Sequence, residues 1–316
     1  MCRFAWKRGL TPTASTAPWR AASLLRQTEL IMNPEMSEWI EMLLRWTHIF
    51  AGIMWVGATF YFTWLDGRFT ELEKQADKGD GKSEKNVWMV HSGGFYLVEK
   101  QKRPTMMPQV LHWFKWESFT TWITGILLFG LMYFHGSKLV EFEDWPYSKG
   151  QAMAMSVGFL LLGWVVYDLL WSKVFRNELV GAVISYLLLV GVAFLFMYSG
   201  KINLGFTQLQ LPLFPARAAF LQIGAMLGTI MTANVWMRIL PPQKRMVAAL
   251  KAGQEPNLTE GARAKTRSKH NTFIVMPVVF TMISHHYSFI GSKYNWLIFA
   301  GLTLAGFVAA KIIRKA

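Results

Sequence analysis

The stretch WIEMLLRWTHIFAGIMWVGATFYFTW, residues 39–64, decides the class of the fold. It is apolar over a length that crosses a hydrocarbon core roughly 30 Å thick as one helix. Six further apolar segments of the same kind follow, at about 116–134, 151–171, 178–198, 216–240, 271–290 and 295–312. Trp39, Trp64, Trp116, Trp145, Trp171 and Trp296 lie near the expected ends, where amphipathic rings favour the headgroup zone. Of the 316 residues, 53% are hydrophobic, 15% aromatic and only 16% charged. A soluble domain carries roughly 25% charged residues. The sequence therefore excludes a soluble enzyme, a disordered chain and a coiled coil, and predicts an all-α polytopic bundle of about seven spans.

Charge fixes the expected orientation. With the N-terminus outside, the inner loops and C-terminus hold 22 Lys and Arg and the outer loops 5, so the C-terminus is expected in the cytoplasm. The formal net charge of +14 is explained by this loop bias, and no nucleic-acid partner is expected. Cys2 is the single cysteine, and no Cys-x-x-Cys-His sequence exists to attach a c-type haem. A redox cofactor would need other ligands, with histidine leading. Residues 1–36 read as an N-terminal extension, with Met32 or Met36 the expected true start; residues 37–316 form the membrane domain. In the first inner loop, Val87–His91, Ser92-Gly93-Gly94 and Phe95–Val98 read as a β-hairpin. The second long inner loop, 241–270, opens on Pro241-Pro242.

An ionisable group within a span is costly and therefore a functional candidate. His48 shares a helix face with Gly52 and Trp55. A histidine beside a glycine leaves room for a flat macrocycle, and imidazole is a common axial ligand of haem iron. The alternative is a histidine that hydrogen-bonds across helices in a seam of small residues. His285-His286 closes the sixth segment in the same leaflet as His48, the placement a bis-histidine haem b needs, with His286 the favoured partner. Toward the inner side lie Asp66, His91, His112, Lys115, Glu117, Asp168, Asn234, Arg238 and His270-Asn271. Converging helix ends there would make a polar pocket for a small anion, with histidine as proton acceptor near neutral pH.

These residues carry a resemblance to a known family. The stretches are Arg45–Gly57, Val90–Tyr96, Leu111–Glu117, Ala233-Asn234-Val235, Lys269-His270-Asn271, Met282–Tyr287 and Tyr294-Asn295-Trp296. In this order, over about residues 37–312, they resemble the membrane domain of the cytochrome-c-type bacterial urate oxidases, also called urate hydroxylases. The resemblance implies oxidation of urate to 5-hydroxyisourate with water supplying the oxygen, in the bacterial inner membrane. Two departures stand out. The sequence ends after the seventh expected helix, without the family's eighth helix and cytochrome c module, and His285 stands where asparagine is expected before His286-Tyr287. Electrons are thus expected to pass to a separate cytochrome c or a quinone. In this reading His91 and His112 are the catalytic candidates; Lys115, Trp116, Asn234, Arg238 and His270 bind a small purine anion. His48, Gly52 and His286 hold haem b, with His48 and His286 on its iron. The rivals are a non-catalytic haem b electron-transfer subunit and a transporter or assembly factor without a redox cofactor.

Overall fold

A computed structural model describes residues 34–76, 86–101, 104, 110–135, 147–198, 200–203 and 208–315. The expected extension, apart from its last three residues, lies outside the described residues. The chain divides into two compact units, Met1–Met42 and Leu43–Ala316. Residues 34–42 of the first are the opening turns of a helix; the bundle belongs to the second.

Helix α1 (Pro34–Ala76) is followed by the hairpin β1 (Asn86–His91) and β2 (Gly94–Glu99). Then come α2 (Trp116–Phe129), α3 (Lys149–Leu169), α4 (Glu178–Met197), and a second hairpin of β3 (Gly200–Asn203) and β4 (Gln208–Leu211). The chain finishes with α5 (Ala216–Ala233), α6 (Leu240–Lys251), α7 (Leu258–Ser284) and α8 (Asn295–Lys315). Three helices widen at their C-terminal ends into π-type turns: Gly130–His135 after α2, Leu170–Val174 after α3, and Asn234–Ile239 joining α5 to α6. The helix starts carry their own signals. Ser148 and Gln151 form a reciprocal capping box on α3, and the Asn177 and Asn257 side chains accept first-turn N–H groups of α4 and α7.

Among the described residues, six helical segments are long and apolar enough to cross a membrane: Glu35–Gln75, Trp116–His135, Lys149–Val174, Glu178–Met197, Ala216–Lys251 and Asn295–Arg314. The bundle has an inside and an outside. The apolar window of α5 is 72% buried, whereas the other five are 11–22% buried. Helix α5 is therefore the axle, packed on α2, α3, α4 and α7, and the rest present apolar side chains outward, as a lipid-facing surface does. At the axle, Phe196, Phe214, Phe220, Ile223 and Phe299 are fully buried, with Phe196 edge-on to Phe214 at 5.2 Å.

Two expectations are corrected. The segment 271–290 is not a helix of its own: α7 begins at Leu258, runs through the charged stretch to Ser284, and gives way at His285 to a short 3-10 turn, Ser288–Gly291. Only its second half is apolar, and it packs against α5 and α8. Nor do Pro241-Pro242 open a loop. They sit in the first turn of α6, where a missing N–H costs nothing. The first hairpin forms as expected, with Ser92 and Gly93 at φ 51° and 76° making its two-residue turn.

Close helix contact at the axle depends on glycine. A Cβ built on Gly224 of α5 would lie 2.5 Å from Thr281 Oγ1 of α7, whereas one on Gly57 of α1 meets nothing within 4 Å. Gly224→Ala is expected to cost about 1–3 kcal/mol through overpacking. Gly57→Ala is expected to be neutral or slightly stabilising. Unfolding midpoints of the detergent-solubilised variants check this; equal effects would contradict the packing.

Candidate functional site

The inner ends of α3, α5 and α7 meet in a buried polar network. Two of the π-type turns lie in it, and such turns shift the helical register so that side chains which would diverge come to one side. Asp168 and Ser172 come from the end of α3, Arg238 from the turn after α5, and Arg267 from α7. Arg238 donates to Asp168 through Nε at 2.7 Å and through Nη2. Arg267 Nη2 donates to Asp168 Oδ1 at 3.0 Å and to Ser172 Oγ at 2.7 Å. Asp168 and Arg267 are buried. One carboxylate thus faces two guanidinium groups, which leaves the local charge positive.

One residue along from Asp168, the Tyr167 hydroxyl holds the second half of the network. It accepts from Asn234 Nδ2 at 3.0 Å and lies 2.7 Å from His270 Nδ1. With the hydroxyl accepting from Asn234 and giving its own proton to His270 Nδ1, His270 would carry its proton on Nε2. Asn234 Nδ2 also reaches Asn271 Oδ1 at 3.0 Å, and Asn271 Nδ2 donates to the Met231 carbonyl. The Arg267 guanidinium stands 5.0 Å over the Tyr167 ring, and the Trp171 ring lies 4.0 Å from His270.

Several polar atoms here are buried without a hydrogen-bond partner among the described residues: Asn234 Oδ1, Arg267 Nη1, His270 Nε2 and, nearby, Trp236 Nε1. Native proteins rarely leave such atoms unpaired, and each calls for a water or a ligand. The first three surround Tyr167. They offer one acceptor and, with His270 in that tautomer, two donors, one of them cationic. Water, or a small planar anion carrying both N–H and carbonyl groups, matches that set.

Beside the network is an aromatic cluster. Trp236 packs edge-on against Trp116 at 5.9 Å and lies 5.6 Å from Phe119. Lys115 Nζ stands 5.0 Å from the Trp116 ring centroid and 5.7 Å from that of Trp236. So Asn234, Arg238 and His270 share one network, and Lys115 and Trp116 adjoin it through Trp236. Arg238 is already bound to Asp168. His91 and His112 are exposed and take no part in the network's hydrogen bonds. His91 Nδ1 meets Ser92 Oγ at 2.8 Å, and the His112 ring is edge-on to Phe114 at 4.5 Å.

At the other end of the bundle, His48 lies against α2. Its Nδ1 is 2.8 Å from the Thr121 carbonyl and 3.2 Å from Thr124 Oγ1. The glycine that makes room is Gly125 of α2, where a Cβ would come within 2.9 Å of His48 Cε1. A Cβ built on Gly52 would meet the Thr121 methyl of α2 at 3.8 Å, an ordinary contact. His285 and His286 lie with ring centroids 3.9 Å apart at the end of α7. They line an open pocket of about 470 Å³ together with Arg217, Tyr287 and Gly291, and His48 is not on its wall. Among the described residues, no group of three or more His, Cys, Asp or Glu could hold a metal ion.

Tyr167, Ser172, Trp236 and Arg267 escaped the sequence reading. Arg267 sits in a basic run that resembles a solvated loop, and Tyr167 in a span rich in aromatics. The buried aspartate at 168 was the one signal, since it demands a cationic partner.

A family model described as urate oxidase N-terminal matches residues 34–315. No curated protein and no solved structure matches the chain.

Proposed function

The chain belongs to the urate oxidase N-terminal family, and from that premise we propose that it is a membrane-bound oxidoreductase of the urate-oxidising type. Urate and water give 5-hydroxyisourate with release of two protons and two electrons. The electrons leave to a separate cytochrome c or quinone. The family match over residues 34–315 carries this reading. The buried atoms around Tyr167 that find no partner among the described residues support it, because they are donors and an acceptor of the kind a purine anion pairs with.

In the proposal, Arg267 Nη1 and His270 Nε2 donate to oxygens of the anion and Asn234 Oδ1 accepts from a ring N–H. Trp116, Trp236 and Lys115 border the entry on the basic inner side. His270, protonated at Nε2, serves this set as a donor, and His91 and His112 are the exposed candidates for proton acceptor. Urate added to the detergent-purified protein is expected to raise its unfolding midpoint, as any ligand selective for the native state does. A midpoint that does not move at millimolar urate would contradict the substrate.

Haem b is part of the proposal, held by His48 with His286 as second ligand. His48 would hold the iron through Nε2, since its Nδ1–H goes to the Thr121 carbonyl. When bound, the group would accept and pass on single electrons. His48→Ala is expected to abolish the haem absorption of protein made with adequate haem supply. A spectrum unchanged by that substitution would remove His48 from the assignment.

A further inference from the structure

The β1–β2 hairpin presents an apolar face that no described part of the chain covers. The register pairs Trp88 with Leu97 and Val90 with Phe95, which puts these four side chains on one face. They are 61%, 49%, 68% and 79% exposed, respectively. The opposite face is the packed one: Val87, with Met89 and Val98, lies against Leu65, Phe69, Trp64 and Leu72 of α1. The hairpin is therefore pinned to α1, with its outward apolar face fixed in direction.

We infer that this face is an interfacial membrane anchor, lying on the acyl–headgroup boundary of the leaflet into which the inner end of α1 emerges. Three observations select lipid as the occupant. First, the hairpin sits where α1 crosses the boundary. Asp66 takes Lys100 at 2.6 Å and Lys265 at 2.8 Å, an ion cluster that belongs at headgroup level. One turn deeper, Tyr61 Oη reaches Met89 Sδ at 3.5 Å. Second, exposed aromatic side chains gather at the same level of α1 and at the start of α2. Phe62 and Phe114 pack edge-on at 4.8 Å, and both are exposed, as are Tyr61 and Trp116. Third, the sequence leaving the hairpin carries Lys100, Lys102 and Arg103, the kind of basic flank that anionic lipids attract.

Backbone chemistry sets the depth. Among the described residues the sheet has two strands, so each strand has an outer edge of N–H and C=O groups that no other described strand pairs. Such edges cannot enter hydrocarbon, where no water satisfies them. The hairpin consequently lies flat at the interface, with Trp88, Val90, Phe95 and Leu97 facing the acyl chains and its edges in the wet headgroup layer.

The test uses the full chain with Cys2→Ser and one new thiol, Val90→Cys or Phe95→Cys, each labelled with an environment-sensitive fluorophore. Gln254→Cys, on the exposed α6–α7 connection, serves as the aqueous control. The proteins are reconstituted in vesicles of phosphatidylcholine and phosphatidylglycerol. Lipids brominated near the head of the acyl chain are expected to quench the label at 90 and 95 several-fold more than at 254, while iodide quenches only at 254. Iodide quenching at 90 and 95 equal to that at 254, without quenching by lipid, would overturn the anchor. Excimer emission from pyrene placed at 90 or 95 would overturn it too, since a second copy would then cover the face. Both sites are exposed, so neither variant disturbs the packed face, and neither outcome depends on urate turnover.

Discussion

Asp168→Ala is expected to lower the stability of the protein by about 3–5 kcal/mol, because it strands a buried guanidinium. The Arg267 side chain is only 8% exposed and Asp168 is its ion-pair partner. Taking that carboxylate away leaves Arg267 with the Ser172 hydroxyl, the Asp168 backbone carbonyl and the face of the Tyr167 ring. Arg238→Ala breaks the other pair from the same carboxylate, yet its cost should be small. The Arg238 side chain is 44% exposed and water screens it, while Asp168 keeps Arg267. Replacing Asp168 and Arg267 together by leucine should cost less than Asp168→Ala alone, since no buried uncompensated charge remains and the half-exposed Arg238 meets water. Denaturation in detergent, followed by the unfolding midpoint, measures all three. Equal losses for Asp168→Ala and Arg238→Ala would show that the buried pair does not hold the inner ends of α3 and α7 together.

His270→Ala is the second large effect, and it falls on activity. A buried donor aimed at developing negative charge is worth roughly 10²–10³ in rate when removed. His270 Nε2 is buried without a partner among the described residues, and the ring is fixed in place by Tyr167 and Trp171. A loss of that order in kcat/KM for urate is therefore expected, with the fold retained. His112→Ala is the control that separates two readings of the site. Its ring is exposed and touches Phe114, so turnover should change by less than about tenfold. The reverse order, with His112→Ala the more damaging, would move the chemistry out of the Tyr167 network to the exposed segment before α2.

How far the sequence carried this picture depends on which residues were asked. Residues 39–64 read as a spanning helix because nothing in their chemistry permits anything else, and α1 covers them. The first hairpin was legible from alternation around Ser92-Gly93-Gly94, a turn that needs positive φ at two successive positions. Helix α7 was not. Its first half, Leu258–His270, is charged enough to pass for a loop, and the helix holds because its cations find partners: Lys265 on Asp66, Arg267 on Asp168 and Lys269 on Glu178. Those partners are 91 to 199 residues away in sequence, beyond the reach of any local pattern. The π-type turns after α3 and α5 leave no signature in composition either, yet the buried polar network is built around them. Asn234 and His270 were visible as polar residues in apolar or boundary positions. Tyr167, which links them, was hidden because tyrosine is ordinary in a membrane helix.

The haem ligand candidates show the complementary case. His48 stood out for being ionisable inside a span, and the structure accounts for it with cross-helix hydrogen bonds to Thr121 and Thr124. Those bonds orient the ring, so they are compatible with a ligand role. Beside Gly52 the nearest neighbour is the Thr121 methyl of α2, 3.8 Å from where a Cβ would stand.

The most direct test of the central claim is anaerobic turnover of the purified protein in detergent with urate, an excess of an artificial one-electron acceptor, and isotopically labelled water. The expected result is consumption of urate with two acceptor molecules reduced for each one lost, the label in the product, and no hydrogen peroxide. Folded protein that binds the acceptor yet leaves urate intact would contradict the claim.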